Sequence, residues 1–162
     1  MIDVAEKQFL KARTFLREGK VEESLQELNL ILARQPEFGK GQALLGHLLY
    51  HYFRDFTNAE EAFRKAMRQT PNHDETYLDY AALLLQLERF TETVAILNKA
   101  MEVPGIEKDK VYGLFGMLSE RQERWDEAID YYSKALLFTF SVEAIIGYEE
   151  DINRVLKKKS KV

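Results

Sequence analysis

The sequence predicts an all-α protein built from stacked helical hairpins, and three observations lead to that prediction. The chain has only three prolines and eight glycines in 162 residues, and the segments between them place apolar residues three and four positions apart. The stop signals Pro36, Pro71 and Pro104-Gly105 are regularly spaced. A pattern of small and large side chains returns every 34 or 35 residues, which indicates a repeat of two helices.

The repeat is clearest in its second helix. One column of the repeat holds only small residues, which are Ser24, Ala59, Thr93 and Ala128. Four positions later each copy has a large residue, and these are Leu28, Phe63, Leu97 and Tyr132. The first helices keep the same period with a small residue in each copy, namely Ala12, Gly46, Ala81 and Gly116. Small side chains let two helix axes approach closely and large ones fill the gaps, so stacked hairpins share a continuous core. Trp125 and Tyr132 are therefore predicted to be core residues.

Four helix pairs follow from this pattern. The predicted helices cover residues 3–17, 21–34, 39–53, 57–69, 74–87, 91–103, 107–121 and 125–138. They form repeats at about residues 5–38, 39–73, 74–106 and 109–140 of a single domain that covers residues 1–158. Thr57 and Glu60 have capping-box spacing, which predicts that Thr57 caps the fourth helix.

A further amphipathic segment follows the last repeat. Residues 141–157 are predicted to form a capping helix that begins at Ser141 and covers the exposed end of the array. Its predicted apolar side consists of Val142, Ile145, Ile146, Ile152, Val155 and Leu156. Residues 158–162 are predicted to be a basic, solubilising tail.

Composition excludes several classes of protein. A formal net charge of −4 gives no general attraction for nucleic acid or anionic lipid. The absence of cysteine excludes disulfides, thiol nucleophiles and thiolate metal sites, and it favours a cytoplasmic location. Asp3 and Glu6 lie where a secretory signal would be basic and then apolar, and no segment approaches the ~18 apolar residues of a membrane span. Because no phosphate loop or nucleophile elbow is present, the chain is predicted not to be an enzyme and to use no cofactor.

The repeat resembles the tetratricopeptide repeat family, whose unit combines Leu-Gly and Tyr in its first helix with Ala, Phe, Ala and a closing Pro in its second. The matching residues of the second repeat are Leu45, Gly46, Phe56, Ala59, Phe63, Ala66 and Pro71. The resemblance covers about residues 5–140 and implies a right-handed superhelical solenoid that binds protein partners. One departure is an extra residue between the two helices of the second repeat, near Tyr52 to Asp55.

The resemblance also implies that the first helices line a concave groove that holds a peptide or a partner helix. The residues carried over to that surface are Phe9, Arg13, Arg17, Lys40, His47, Tyr50, His51, Leu78, Leu85, Gln86, Met117, Glu120 and Arg121. We expect a partner with acidic groups toward Arg13, Arg17 and Lys40 and with apolar side chains toward the other end. The opposing interpretation is that these charges form a solvated face.

Two other binding roles stay open. The chain could act as a secretion-type chaperone, or as an assembly or regulatory subunit that uses its convex face or array ends. The basic and amide residues with which some family members clamp chaperone tails are not reproduced in this sequence. Nucleic-acid binding conflicts with the acidic balance, and the sequence does not decide the oligomeric state.

His47 and His51 stand four residues apart, a spacing that can place two imidazoles on one helix face for zinc. Residues 48–50 are Leu, Leu and Tyr, so the intervening helix supplies no acidic ligand. With no cysteine and only His73 besides, the sequence predicts no metal site. The two histidines are interpreted as ordinary groove or surface residues.

Overall fold

The computed structural model describes residues 3–161, and within that range the chain forms nine α-helices and one short π-helix, with no strand. The α-helices are α1 (Val4–Arg17), α2 (Val21–Arg34), α3 (Gly39–Leu48), α4 (Phe56–Gln69), α5 (Asp74–Gln86), α6 (Phe90–Met101), α7 (Lys108–Arg121), α8 (Trp125–Phe138) and α9 (Val142–Lys159). The π-helix covers Leu49–Phe53 and continues α3; we call it the π segment. The all-α prediction is confirmed, and every predicted helix is present within two residues at each end when the π segment is counted together with α3. None of the helices in the described range combines the length and apolar character that crossing a bilayer requires.

The helices form two compact units, with a boundary inside α5 between Leu83 and Leu84. Unit 1 comprises the described residues up to Leu83, and unit 2 comprises those from Leu84 onward. In unit 1, α1 packs against α2 and α3 packs against α4. In unit 2, α7 packs against α8, and α8 packs against α9. The prediction of one domain over residues 1–158 stays a prediction.

The small residues of unit 1 lie where two helices approach closely. Ser24 is fully buried, and its hydroxyl donates a hydrogen bond of 2.8 Å to the backbone oxygen of Ala12 on α1. A Cβ atom on Gly46 of α3 would lie only 2.6 Å from the ring of Phe63 on α4, which is itself fully buried. The predicted pairing of one small residue with one large residue is therefore present in unit 1.

Unit 2 repeats this arrangement. Ala128 and Ala135 of α8 are completely buried, and so is Tyr132 between them. A Cβ atom on Gly116 of α7 would lie 2.6 Å from the Tyr132 ring. Trp125 is partly buried against the same cluster. Both aromatic residues thus pack inside unit 2, as the sequence predicts.

The last helix, α9, packs against α8 but does not bury the whole apolar side predicted for it. Val155 is fully buried, and Ile152 packs beside it. Val142, Ile146 and Leu156 are instead exposed at 65%, 51% and 47%. Ser141 caps the helix as predicted, because its hydroxyl accepts a hydrogen bond from the backbone N–H of Ala144.

The predicted basic tail is partly helical. Helix α9 continues to Lys159, where cations in the last turn face the negative end of the helix dipole. Lys158 pairs with Glu120, and Lys159 pairs with Asp126. Val162, the last residue of the predicted tail, and Met1 and Ile2 at the other end lie outside the described residues.

The π segment accommodates the extra residue that the second repeat contains. A π-helix closes its hydrogen bonds over five residues instead of four, so one added residue fits without ending the helix. It ends at Phe53, Arg54 follows as its C-cap, and α4 then begins at Phe56. Asp55, and not the predicted Thr57, caps α4, because its carboxylate accepts a 3.2 Å hydrogen bond from the backbone N–H of Asn58.

The turn inside each repeat requires one residue in the left-handed region. Gly19, Arg54, Glu88 and Glu123 occupy this position with φ of 75°, 55°, 57° and 59°. Glycine adopts this conformation without the steric cost that a Cβ atom brings. Glu123→Gly removes the steric cost of the left-handed conformation, but it also increases the conformational entropy of the unfolded chain. We expect the first effect to be larger, so that the free energy of unfolding rises by about 0.5–1 kcal/mol. Urea unfolding followed by circular dichroism at 222 nm measures the change.

The matched control for this substitution is Glu149→Gly in the exposed middle of α9. There the same change is expected to lower the free energy of unfolding by about 0.5–1 kcal/mol, because glycine is a poor helix former. Equal destabilisation at both positions would contradict the explanation by backbone strain.

Candidate functional site

The most distinctive polar arrangement in unit 1 is a cluster of His47, His51 and Asp79, which we call the His–Asp cluster. Nδ1 of His47 lies 2.7 Å from Oδ2 of Asp79, and Nε2 of His51 lies 3.0 Å from Oδ1. The two imidazole rings are 4.4 Å apart. His47 is on α3, His51 is in the π segment and Asp79 is on α5, so two consecutive repeats supply the three side chains.

These contacts alter the proton affinities of the cluster. The hydrogen bond between the His47 ring and Asp79 raises the pKa of His47 above its ordinary value, although partial burial opposes the shift. Burial alone would raise the pKa of Asp79, but its hydrogen bonds with both histidines outweigh this and lower the pKa below its ordinary value. Asp79 is therefore a carboxylate that two ring nitrogens hold in a fixed orientation.

Aromatic rings extend the cluster along the π segment. The Tyr50 ring lies 4.5 Å from that of His51, and the Tyr52 ring lies 6.3 Å from that of His47. Tyr52 and Phe53 are 52% and 38% exposed, while burial raises the pKa of Tyr50. Four consecutive rings, from Tyr50 to Phe53, are thus at least partly open to solvent.

The other unit 1 residues predicted for the groove differ in accessibility. Phe9 and Leu78 are buried. Arg13 is exposed, with its guanidinium 6.0 Å from the Phe9 ring, and Arg17 is exposed and donates a hydrogen bond to Thr14. Lys40 forms an ion pair of 2.8 Å with Glu6 on α1, so its charge is already partly compensated.

The predicted groove residues of unit 2 also differ among themselves. Leu85 is buried and Gln86 is partly buried, whereas Met117 is 43% exposed. Arg121 is exposed and lies 3.9 Å from Glu88. Glu120, in contrast, is buried and points toward α9.

Glu120 is the centre of a network that fastens α9 to α7 and α8. Its carboxylate accepts hydrogen bonds from Arg154 (2.6 Å), Lys158 (2.8 Å) and the hydroxyl of Tyr132 (3.0 Å). Burial opposes ionisation, but these donors outweigh it and lower the pKa of Glu120 to about 2. Because its acceptor positions are already occupied, we do not include Glu120 in a partner-binding surface.

Asp79 is not among the residues predicted for the site, because it lies on a different helix from the two histidines and 28 residues beyond His51 in the chain. A signal was present in the repeat alignment. Asp79 occupies a position that holds leucine in the other three repeats, at Leu10, Leu44 and Leu114. A single acidic residue in an otherwise apolar column marks a position where packing alone does not explain the residue type.

Comparison with known proteins identifies the repeat. Residues 53–103 match the family model for the tetratricopeptide repeat, and the helices of the whole described chain follow the same two-helix period. Residues 53–103 are therefore similar to a tetratricopeptide repeat, and a two-helix unit of this kind accounts for the small and large columns and for the left-handed turn residues.

Solved structures of similar fold include a tetratricopeptide repeat protein and proteins of pilus assembly. A thermophilic tetratricopeptide repeat protein of Thermus thermophilus is 21% identical, with a TM-score of 0.76 over 91% of this chain and 81% of that chain. PilF of Pseudomonas aeruginosa is 19% identical, with a TM-score of 0.80 over 97% of this chain and 69% of that one. PilW, described as a widely conserved type IV pilus biogenesis factor, is also 19% identical, with a TM-score of 0.80 over 98% and 77% of the two chains.

At these identities the structural likeness establishes the fold and nothing more specific. No curated protein has a sequence that matches this chain. Tetratricopeptide repeat proteins are generally non-catalytic scaffolds for other proteins. The cytoplasmic location stays a prediction.

Proposed function

We propose that the protein is a non-catalytic interaction module and that unit 1 binds an acidic segment of a partner protein. The binding surface consists of Arg13 and Arg17 on α1 together with His47, Tyr50 and His51 on α3 and the π segment; we call it the Arg–His surface. The observation that carries the proposal is that Arg13 and His47 occupy one pair of equivalent repeat positions in unit 1, that Arg17 and His51 occupy a second pair, and that Tyr50 packs on His51.

The row follows from the repeat period. Arg13 and His47 are 34 residues apart, and so are Arg17 and His51. Glu6 and Lys40 have the same 34-residue separation, and their side chains meet at 2.8 Å across α1 and α3. Equivalent positions on these two helices are therefore neighbours, which supports placing each arginine beside the corresponding histidine.

The aromatic residues supply contact area beside these charges. Tyrosine and other aromatic side chains are enriched in protein interfaces, where they bury a large area at a small entropic cost. Tyr50 packs on His51, and Tyr52 is more than half exposed. π-helices are rare and are frequently found at functional sites, and here the π-helix carries both of these rings.

Charge supports an acidic partner segment. Within residues 3–161, no carboxylate lies within ion-pair distance of the guanidinium of Arg13 or Arg17, in contrast to Lys11, which pairs with Glu27. Guanidinium groups bind carboxylates in a two-point geometry that ammonium groups cannot match. Lys40 is expected to contribute less to binding an acidic segment than the sequence predicts, because Glu6 already accepts a hydrogen bond from its ammonium group. The exposed Met117 of unit 2 remains a candidate for an apolar contact.

The proposal is tested by selecting peptides from a random phage-display library on the immobilised full chain. The selected peptides are expected to be rich in Asp and Glu, and their affinity, measured by fluorescence anisotropy, is expected to fall as salt rises. The double variant R13E/R17E is expected to weaken binding of those peptides by about tenfold or more, which corresponds to about 1.4 kcal/mol.

The control is the double variant R34E/R68E, which changes the net charge by the same amount. Arg34 and Arg68 are exposed in the last turns of α2 and α4, the second helices of their repeats. This variant is expected to bind as the original chain does, apart from a small long-range effect. Selection of uncharged or basic peptides, or equal losses in both double variants, would refute the Arg–His surface as the binding site.

A further inference from the structure

We propose that the His–Asp cluster of His47, His51 and Asp79 binds a single zinc ion or a similar first-row divalent cation. This site shares His47 and His51 with the Arg–His surface, but an ion can bind to the three side chains without a partner protein. The sequence predicts no metal site, because no acidic residue lies between His47 and His51. The proposal differs from that prediction because the third ligand, Asp79, comes from α5.

The first argument is the choice of donor atoms. Two imidazole nitrogens and one carboxylate oxygen are the three protein ligands of many open zinc sites, with water in the fourth position. Imidazole ligands also suit cobalt, nickel and copper, whereas calcium and magnesium prefer sites made only of oxygen. The cluster therefore selects for zinc-like ions over the alkaline-earth ions.

The second argument is distance. The ligand atoms of His47, His51 and Asp79 all lie within 4.8 Å of one another. Two ligands held about 2.0–2.1 Å from a tetrahedral zinc ion are about 3.3 Å apart. The nitrogen-to-oxygen distances of 2.7 and 3.0 Å, each to a different oxygen of Asp79, need to lengthen by about 0.6 and 0.3 Å to reach that separation. Rotation of half-exposed side chains supplies that movement without a change in the helices.

The third argument is the combination of access and positioning. The side chains of His47 and His51 are 37% and 42% exposed, so an ion can enter and retain a water molecule, while that of Asp79 is 20% exposed. The Tyr50 ring supports that of His51 at 4.5 Å. Asp79 already faces one nitrogen of each ring, so little side-chain freedom is lost when an ion replaces the hydrogen bonds.

The experiment uses the full chain with any polyhistidine tag removed and with metal stripped by a chelator. Cobalt(II) is added first, because its visible absorption reports coordination by nitrogen ligands, and zinc is then titrated by calorimetry. We expect one zinc ion per chain and displacement of cobalt by zinc. His47→Gln, His51→Gln and Asp79→Asn are each expected to weaken zinc binding by at least about tenfold to a hundredfold, which is the loss that substitution of the outer partners of metal ligands already causes.

The matched control is His73→Gln. His73 is the third histidine of the chain and also lies in unit 1, where its ring contacts Thr76 and not the cluster. Zinc affinity is expected to be unchanged in this variant. Absence of zinc binding by the original chain, or equal losses in His73→Gln and His47→Gln, would overturn the proposal.

A measurement on the original chain removes any dependence on how the variants fold. In nitrogen-15 spectra of the three imidazoles, one equivalent of zinc is expected to shift the ring signals of His47 and His51 and to leave those of His73 in place. Shifts confined to His73, or small shifts of all three rings without saturation, would show that the cluster does not hold the ion.

Discussion

Gly116→Ala is expected to lower the free energy of unfolding by about 1–3 kcal/mol, whereas Gly147→Ala is expected to raise it by about 0.5–1 kcal/mol. The added methyl group at Gly116 would lie 2.6–3.0 Å from three ring atoms of Tyr132. That ring is completely buried, and its hydroxyl is bonded to Glu120, so it cannot move aside cheaply. At Gly147 of α9 the methyl group would meet no atom within 4 Å, and alanine is the better helix former.

Both substitutions lie in unit 2, which also contains Trp125, the only tryptophan of the chain. Urea unfolding followed by tryptophan fluorescence therefore reports on the unit that is altered. Stabilisation by Gly116→Ala would contradict the close approach of α7 to Tyr132. Destabilisation by Gly147→Ala would contradict the open space described for α9.

The second large effect is expected for Glu120→Gln, which is predicted to lower the free energy of unfolding by about 1–3 kcal/mol near neutral pH. The substitution removes a buried charge that accepts hydrogen bonds from Arg154, Lys158 and Tyr132. We do not expect a larger loss of stability, because the side chains of Arg154 and Lys158 are 46% and 49% exposed and water can replace part of their hydrogen bonding to Glu120.

The effect of Glu120→Gln depends on pH in a defined direction. The pKa of Glu120 is lowered from 4.5 to about 2 in the folded chain, so its carboxylate stabilises the fold fully above about pH 4.5. That stabilisation is lost as the pH falls from about 4.5 toward 2, because the unfolded chain takes up the proton first. The difference in stability between the original chain and Glu120→Gln is therefore expected to shrink between pH 5 and pH 3.

The measurement is urea unfolding by tryptophan fluorescence at several pH values. Glu149→Gln on the exposed side of α9 serves as the control, and it is expected to show no comparable loss. A difference between the original chain and Glu120→Gln that stays constant from pH 7 to pH 3 would refute a role for the ionised carboxylate.

Much of the fold could be predicted because a helical repeat produces a recognisable spacing of apolar, small and large residues within each helix. The spacing of apolar residues depends only on the geometry of a single helix, and the size of a side chain limits how closely a neighbouring helix can approach. The positions of Gly46 and Gly116 against Phe63 and Tyr132 are consequences of these two rules. The sequence also shows that the second repeat has one extra residue, but it does not predict that a π-helix accommodates this residue.

The candidate site was predicted only in part. His47, Tyr50 and His51 belong to one continuous stretch, so their common face follows from sequence spacing. The contact of Asp79 with the two histidines depends on how far one repeat is displaced along the next. Hydrogen bonds are sensitive to displacements of less than an ångström, and side-chain periodicity does not define the stacking of repeats to that precision.

The all-α class, the two-helix period and the positions of the small and large core residues follow from the sequence alone, because they depend on helix geometry and side-chain volume. The contact of Asp79 with His47 and His51, and the attachment of α9 through Glu120, follow instead from how the helices pack in three dimensions. Both arrangements join charged groups 28 to 38 residues apart in the chain. Their pairing depends on the register between helices, which no local pattern records.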